Sequence, residues 1–432
     1  MTEPIHVPKM ITPVQLEIER KLGIPDHSLT LEKLKKWQLD RLNDTLAFCM
    51  NHSPFYKEKL ADFSNSIPLR SLEELQQLPF TTSDDISEKG HRMVCTSQSQ
   101  IERIVTLNTS GTTGTAKRIY FTKDDQQLTV DFFAYGMSTL ISSHSKVLVL
   151  LPCHPAGSVG DLLSRAIRKI GAQPYSIGPF NNPDPINDLI ASEKLDALVG
   201  APKQIYTLVQ SWKSSNRGSC PIQALLLSTD YASPILKKSI ESAWNCDVLE
   251  HYGMTEAGLG VGVDCYLKRG YHLREADLYF ELIDKDGNPV AEGEPGEVVF
   301  STLTRHGMPL IRYRTKDISQ IIPGECPCGT VLSTYKWISK RMQNEDSLCT
   351  IAELDNILFQ IPEINGFDAA AKKESLYLKI YSDEQNKEEL KIKISESILN
   401  TFPGVNKIEI ELLAGFPSSA FSLQKKKIEY IS

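Results

Sequence analysis

Between residues 29 and 50, Leu31, Leu34, Trp37, Leu39, Leu42, Leu46 and Met50 recur mostly at three- and four-residue steps, with Lys and Asp between them. That spacing predicts an amphipathic helix, which the Pro of Asn51-His-Ser-Pro-Phe-Tyr56 interrupts. Ser71–Leu78 reads as a short helix capped by Ser71, with Glu74 completing a capping box. Arg103–Leu107 and Arg118–Thr122 have strand character and enclose a polar loop, Asn108–Lys117. Strands at Lys146–Leu151, Gln173–Ile177, Ala197–Val199 and Ala224–Ser228 then alternate with helices over 124–141, 160–170, 185–192, 203–213 and 233–244. Such alternation predicts crossover units and a mainly parallel sheet.

After residue 277 the pattern changes. Tyr279–Ile283, Glu297–Thr302 and Ile318–Ile322 have strand propensity, with Asp284-Lys-Asp-Gly-Asn-Pro289 as a turn. Residues 352–412 then offer a helix at 352–358, a strand at 375–380, a helix at 388–399 and a strand at 407–412. The polar stretch Ser339–Asp346 reads as a linker. The expected fold is α/β. Residues 1–340 form a large multi-layer N-terminal domain with mainly parallel sheets and a β-rich subdomain at about 262–338. Residues 341–432 form a small α+β domain.

Charge and cysteine content narrow the classes. With 47 basic and 54 acidic residues the net charge is −7, which argues against a nonspecific nucleic-acid or anionic-membrane binder. The longest apolar run, Val147–Cys153, is too short to span a bilayer, and the N-terminus lacks the pattern of a signal peptide. Nine thinly spread cysteines do not form a disulfide framework; a reducing cytoplasm is expected.

Thr109-Ser-Gly-Thr-Thr-Gly-Thr-Ala-Lys117 concentrates the first chemistry. Gly111 and Gly114 let backbone amides turn toward an anion. Ser110, Thr112, Thr113 and Thr115 add hydroxyl donors, and Lys117 adds a point charge. This is a phosphate cradle, although Gly-x₄-Gly-Lys-Ser/Thr is absent.

The loop resembles the signature of the adenylate-forming superfamily, the acyl-CoA synthetases and their relatives. His251-Tyr-Gly-Met-Thr-Glu256 resembles its Tyr-Gly-x-Thr-Glu element, and Tyr313-Arg-Thr-Lys-Asp317 its Tyr/Phe-Arg-Thr-x-Asp element. Asn51–Tyr56, Leu78-Pro-Phe-Thr-Thr82 and Cys326-Pro-Cys-Gly329 are similar to the phenylacetate–CoA ligase branch.

The resemblance implies ATP-dependent activation of a carboxylic acid through an acyl-adenylate, with release of pyrophosphate, then transfer to CoA. Thr109, Ser110, Gly111, Thr112, Thr113, Gly114 and Lys117 would hold the β- and γ-phosphates. Thr255 would bond the α-phosphate, Glu256 would hold Mg²⁺, Asp317 would accept from the ribose, and Tyr252 would stack on adenine or line the acyl pocket. Ser228-Thr-Asp-Tyr231 stands where relatives carry a Gly-Ala/Gly-Glu-Pro segment against the adenine. The resemblance makes the C-terminal domain a mobile lid whose late Lys meets the α-phosphate. Lys425 aligns best, with Lys426 and Lys427 as alternatives. Arg341 matches the hinge element, while Lys340, Gln343 and Asn344 depart from it.

Cys265, His272, Cys326 and Cys328 could form a closed tetrahedral zinc site of the structural kind. Phe132, Tyr135, Tyr231 and His154 are the acid-binding candidates, Phe132 and Tyr135 lying three apart on one helix. An aromatic lining would suit an aryl or arylacetic acid. Two other readings stay open: transfer of the acyl group to a carrier-protein thiol or an amine, and a non-catalytic nucleotide-binding relative. Nothing points to nucleic acid or membrane as a partner; relatives of this length are often homodimers.

Overall fold

The computed structural model describes residues 11–107, 116–338, 340–341, 348–421 and 428–430. The chain packs as two units, one of residues 1–139 and 251–342, the other of residues 140–250 and 343–432.

In the first unit, helix Leu31–His52 follows the expected periodicity. Thr30 caps it by accepting from Lys33 N, and Leu34, Leu42, Leu46 and Cys49 are buried. Strands Ile101–Leu107 and Lys117–Thr122 pair antiparallel, with Leu107 opposite Lys117. The phosphate loop expected at 109–114 lies outside the described residues. Strands Leu278–Ile283, Pro295–Thr302 and Tyr313–Ile322 form an antiparallel meander. Its apolar face packs on Leu42, Phe55, Tyr56 and Leu75 through Phe280, Phe300 and Tyr313.

Two local expectations are corrected. Ser71 caps no helix: residues Glu73–Gln77 form a 3₁₀ turn without a side-chain cap, because Glu74 accepts from Arg70 N at 2.7 Å instead. The strand expected at 318–322 begins at Tyr313. Its pairing slips between Glu297 and Val299, and Lys316 sits at φ 65°. That bulge breaks the alternation by which strands are recognised.

In the second unit, Gln173–Ser176, Lys146–Val149, Ala197–Gly200, Ala224–Leu227 and Asp247–Glu250 lie side by side and parallel in that order. Ala197–Gly200 and Ala224–Leu227 are buried at every position, as befits strands covered on both faces. The expected helices occur as Val159–Ile170, Pro183–Glu193, Pro202–Ser214 and Pro234–Trp244. Strands Lys407–Leu413, Ser375–Tyr381, Gly366–Lys372 and Ile428–Tyr430 form a second, mixed sheet. Its helices, Ile351–Leu358 and Lys387–Thr401, supply Leu354, Ile394 and Ile398 to the same core as Leu148, Leu198, Trp212 and Trp244. By packing, then, residues 343–432 group with residues 140–250.

Candidate active site

Three segments remote in sequence meet in the first unit. Lys117 opens its strand, and Glu256 lies in the 3₁₀ turn Thr255–Ala257. The Lys117 ammonium approaches Glu256 Oε1 to 2.5 Å, and the Tyr313 hydroxyl donates to the same oxygen at 3.1 Å. Glu256 is buried. Burial by itself raises a carboxyl pKa, but the Lys117 charge and the hydrogen bonds from Lys117, the backbone and Tyr313 outweigh it. The group is held below the usual carboxylate range. It is therefore an anion in a site that resists anions, a state suited to gripping a cation.

A second contact ties the same two segments together. The Tyr252 hydroxyl donates to Asp317 Oδ2 at 2.9 Å, so residues 252 and 256 bond residues 317 and 313. Asp317 follows the bulge at Lys316, and Thr315 Oγ1 accepts from Asp317 N at 3.0 Å within it. Tyr252 also stacks on Tyr271, with ring centroids 5.8 Å apart. Gly253 has a steric reason: a Cβ there would lie 2.0 Å from Leu259 O. The backbone of Arg341 pairs with Asp317. Lys425, Thr109, Ser110, Gly111, Thr112, Thr113 and Gly114 lie outside the described residues.

The acid-binding candidates divide between the two units, Phe132 and Tyr135 in the first, His154 and Tyr231 in the second. Phe132 is buried beneath Gly260, where a Cβ would meet its ring at 2.5 Å, and Arg274 lies over its face at 5.5 Å. Tyr135 instead accepts a long 3.5 Å hydrogen bond from Arg20. In the second unit His154 is exposed. Burial pushes the Tyr231 hydroxyl up to about 12, with Glu250 adding to the effect.

Cys265, His272, Cys326 and Cys328 are all buried, and their ligand atoms lie within 4.8 Å of one another. Cys265 Sγ and Cys326 Sγ are 3.8 Å apart, and Cys328 Sγ is 3.6 Å from His272 Nε2. A tetrahedral zinc with usual bond lengths requires about 3.8 Å between sulfurs and about 3.6 Å between sulfur and nitrogen. The donor set therefore fits zinc. Ser333 O lies 3.3 Å from His272 Nδ1, the kind of contact that turns Nε2 toward a metal. Hydrogen bonding from Cys265, and then His272, holds the Cys328 thiol down to about 3.

Sequence reasoning named Tyr313 only as part of a motif. It missed Arg305, whose guanidinium donates to Glu256 O at 2.6 Å. Thr-Arg-His-Gly in a turn carries no signal for such a contact.

Residues 44–304 match the AMP-binding enzyme family. The phenylacetate-coenzyme A ligase of Escherichia coli (strain K12) is 26% identical over 311 residues, covering 69% of this chain and 70% of that protein. The phenylacetate-coenzyme A ligase of Thermus thermophilus is 26% identical over 361 residues and 78% of each chain. A solved structure of 2-hydroxyisobutyryl-CoA ligase in its postadenylation state aligns with a TM-score of 0.77 at 18% identity, covering 94% of this chain and 93% of that one. The chain belongs to the AMP-binding enzymes, the adenylate-forming superfamily, and the relatives it resembles there are phenylacetate-coenzyme A ligases.

Proposed function

We propose that the protein is an ATP-dependent acid–CoA ligase. The acid's carboxylate attacks the α-phosphorus of ATP and pyrophosphate leaves. The CoA thiol then attacks the acyl carbon and AMP leaves. The observation that carries this reading is the convergence of Lys117, Glu256 and Tyr313 beside the Tyr252–Asp317 pair. A buried anion, a cation and a second carboxylate are what a magnesium nucleotide needs: a hard ligand, phosphate charge compensation and a ribose acceptor.

In this reading Lys117 and the loop Thr109–Gly114 take the β- and γ-phosphates, and Thr255 bonds the α-phosphate. Asp317 exchanges its Tyr252 hydrogen bond for the ribose hydroxyls. Tyr252, already stacked on Tyr271, offers its other edge to the adenine or acyl group. Glu256 would hold Mg²⁺, which supplies charge neutralisation at the phosphates when bound. Residues 341–432 would act as a lid, with Arg341 at its hinge and Lys425 reaching the α-phosphate, and its rotation would part the core they share with residues 140–250. Tyr135, Tyr231 and His154 carry the acid side, while Phe132 backs Gly260. The Cys₃His cluster takes structural zinc with no open position for chemistry. The nine free thiols fit a cytoplasmic enzyme.

The test is acid-dependent pyrophosphate release across benzoic, phenylacetic and short aliphatic acids, with and without CoA. CoA-dependent thioester and AMP formation supports the reading. Exchange of pyrophosphate into ATP without thioester would redirect it to another acceptor. ATP binding without any turnover would overturn it.

A further inference from the structure

We propose that Arg305 is a positioning residue that sets the Glu256 carboxylate for the metal by gripping the main chain of the same turn. The inference rests on the reading of Glu256 as the Mg²⁺ ligand. Arg305 is 6% exposed and lies between strands Pro295–Thr302 and Tyr313–Ile322. Its Nη1 donates to Glu256 O at 2.6 Å and to Met308 O at 3.4 Å. Its Nη2 stands 3.0 Å from where a Cβ on Gly258 would project, and Gly258 has φ +84°. The guanidinium passes over Phe121 at 5.0 Å.

A buried cation is costly and is usually matched to a carboxylate. Here, among the described residues, its hydrogen bonds go to two carbonyls, one of them on Glu256 itself. Asp125 supplies the compensating charge from a distance. It accepts from His306 N at 2.9 Å and Gly307 N at 3.0 Å, so it fixes the loop that carries Arg305. Thr129 of helix Lys123–Met137 holds the far end of the turn, donating to Gly258 O at 2.8 Å. The turn between Glu256 and Gly258 is thus clamped at both ends from its protein side.

Lysine at 305 keeps the charge and loses the planar fork. The experiment measures calorimetric binding of α,β-methylene-ATP across a Mg²⁺ series, with melting temperature alongside, for Arg305→Lys, Thr129→Val and Glu256→Gln. For Arg305→Lys the Mg²⁺ concentration at half-maximal enhancement should rise roughly tenfold, as for loss of other outer contacts to a metal ligand. Binding without Mg²⁺ should be unchanged. Thr129→Val, which covers the case where Arg305→Lys fails to fold, should move in the same direction by a smaller factor. An unchanged Mg²⁺ dependence in both, beside a lost dependence in Glu256→Gln, overturns the inference and leaves the Glu256 reading standing. Equal loss of binding with and without Mg²⁺ also overturns it, since that marks a purely structural role. If Glu256→Gln keeps the wild-type Mg²⁺ dependence, the metal reading itself fails.

Discussion

Two of the buried clusters of ionisable groups in the first unit follow opposite logic. The Cys₃His cluster draws on two short stretches, 265–272 and 326–328, and its donors are soft and spaced for a closed tetrahedron. The Lys117–Glu256–Tyr313 cluster draws on residues 139 and 57 positions from Glu256. It is built of oxygen and ammonium, and it answers its own charge with a hydrogen-bonded ion pair. A closed site stabilises by staying filled. A cluster whose carboxylate is held by an ammonium can exchange that partner for a substrate's cation, so its value lies in the exchange. The difference teaches that burial of charge alone does not distinguish a structural site from a reacting one; the donor chemistry and the openness of the ligand set do.

Removing one member of the soft cluster should have the largest effect on stability. Structural zinc supplies folding free energy outright. Cys328→Ser should lose stoichiometric zinc and on the order of 4 kcal/mol, or about 10 °C of melting temperature. The Mg²⁺ dependence of whatever protein remains folded should not change. A zinc-free wild-type protein of unaltered melting temperature would erase the contrast between the clusters.

Glu256→Gln should do the reverse. Adenylation, followed as pyrophosphate exchange, should fall roughly 10²- to 10³-fold, about 3–4 kcal/mol of transition-state stabilisation. Melting temperature should change by only a few degrees, because the amide still accepts from Tyr313. Undiminished exchange would remove Glu256 from the chemistry.

The two clusters were unequally legible in the sequence. Cysteines and histidine at short spacing announce a metal because few other roles require them together. Glu256 and Asp317 were legible only through motifs, since isolated Thr-Glu and Lys-Asp pairs are common at turns. What motifs could not show was the wiring. The Tyr252–Asp317 bond lies next to a bulge at Lys316 that propensity does not reveal, and that bulge hid the start of strand Tyr313–Ile322. The apolar strands Ala197–Gly200 and Ala224–Leu227 were plain, being buried on both faces. Gly366–Lys372 was not, because Gly, Asp and three Ala residues are poor strand formers. The shared core of residues 343–432 and 140–250 was likewise invisible, because apolar periodicity shows that a face is buried and not what covers it.

Lys117→Met sharpens the comparison through pH. With Lys117 present the Glu256 pKa is depressed, so its ionised, functional form persists as pH falls until the depressed value is reached. Without Lys117, burial dominates and the pKa rises. The acidic limb of the pH–rate profile should therefore move to higher pH, with maximal adenylation reduced roughly tenfold or more by the lost phosphate contact. The same variant should lose the stability that this ion pair contributes above the depressed pKa. An acidic limb that stays in place would mean another group controls it.

Tyr313→Phe is the smallest and most discriminating change. It removes one hydroxyl that donates to Glu256 Oε1 and leaves the ring against Phe300, whose centroid is 5.4 Å away. If that hydrogen bond only fills the core, its loss should cost about 1 kcal/mol of stability and leave turnover alone. If it aims the carboxylate, adenylation should fall about three- to tenfold, with a rise in the Mg²⁺ requirement and little change in the KM for the acid. The second outcome follows from the geometry, because Tyr313 and Lys117 share one oxygen of Glu256. Losing either donor lets the carboxylate rotate about the contact that remains. Steady-state kinetics at several Mg²⁺ concentrations would separate the two, and a melting-temperature loss without any Mg²⁺ effect would return Tyr313 to the core.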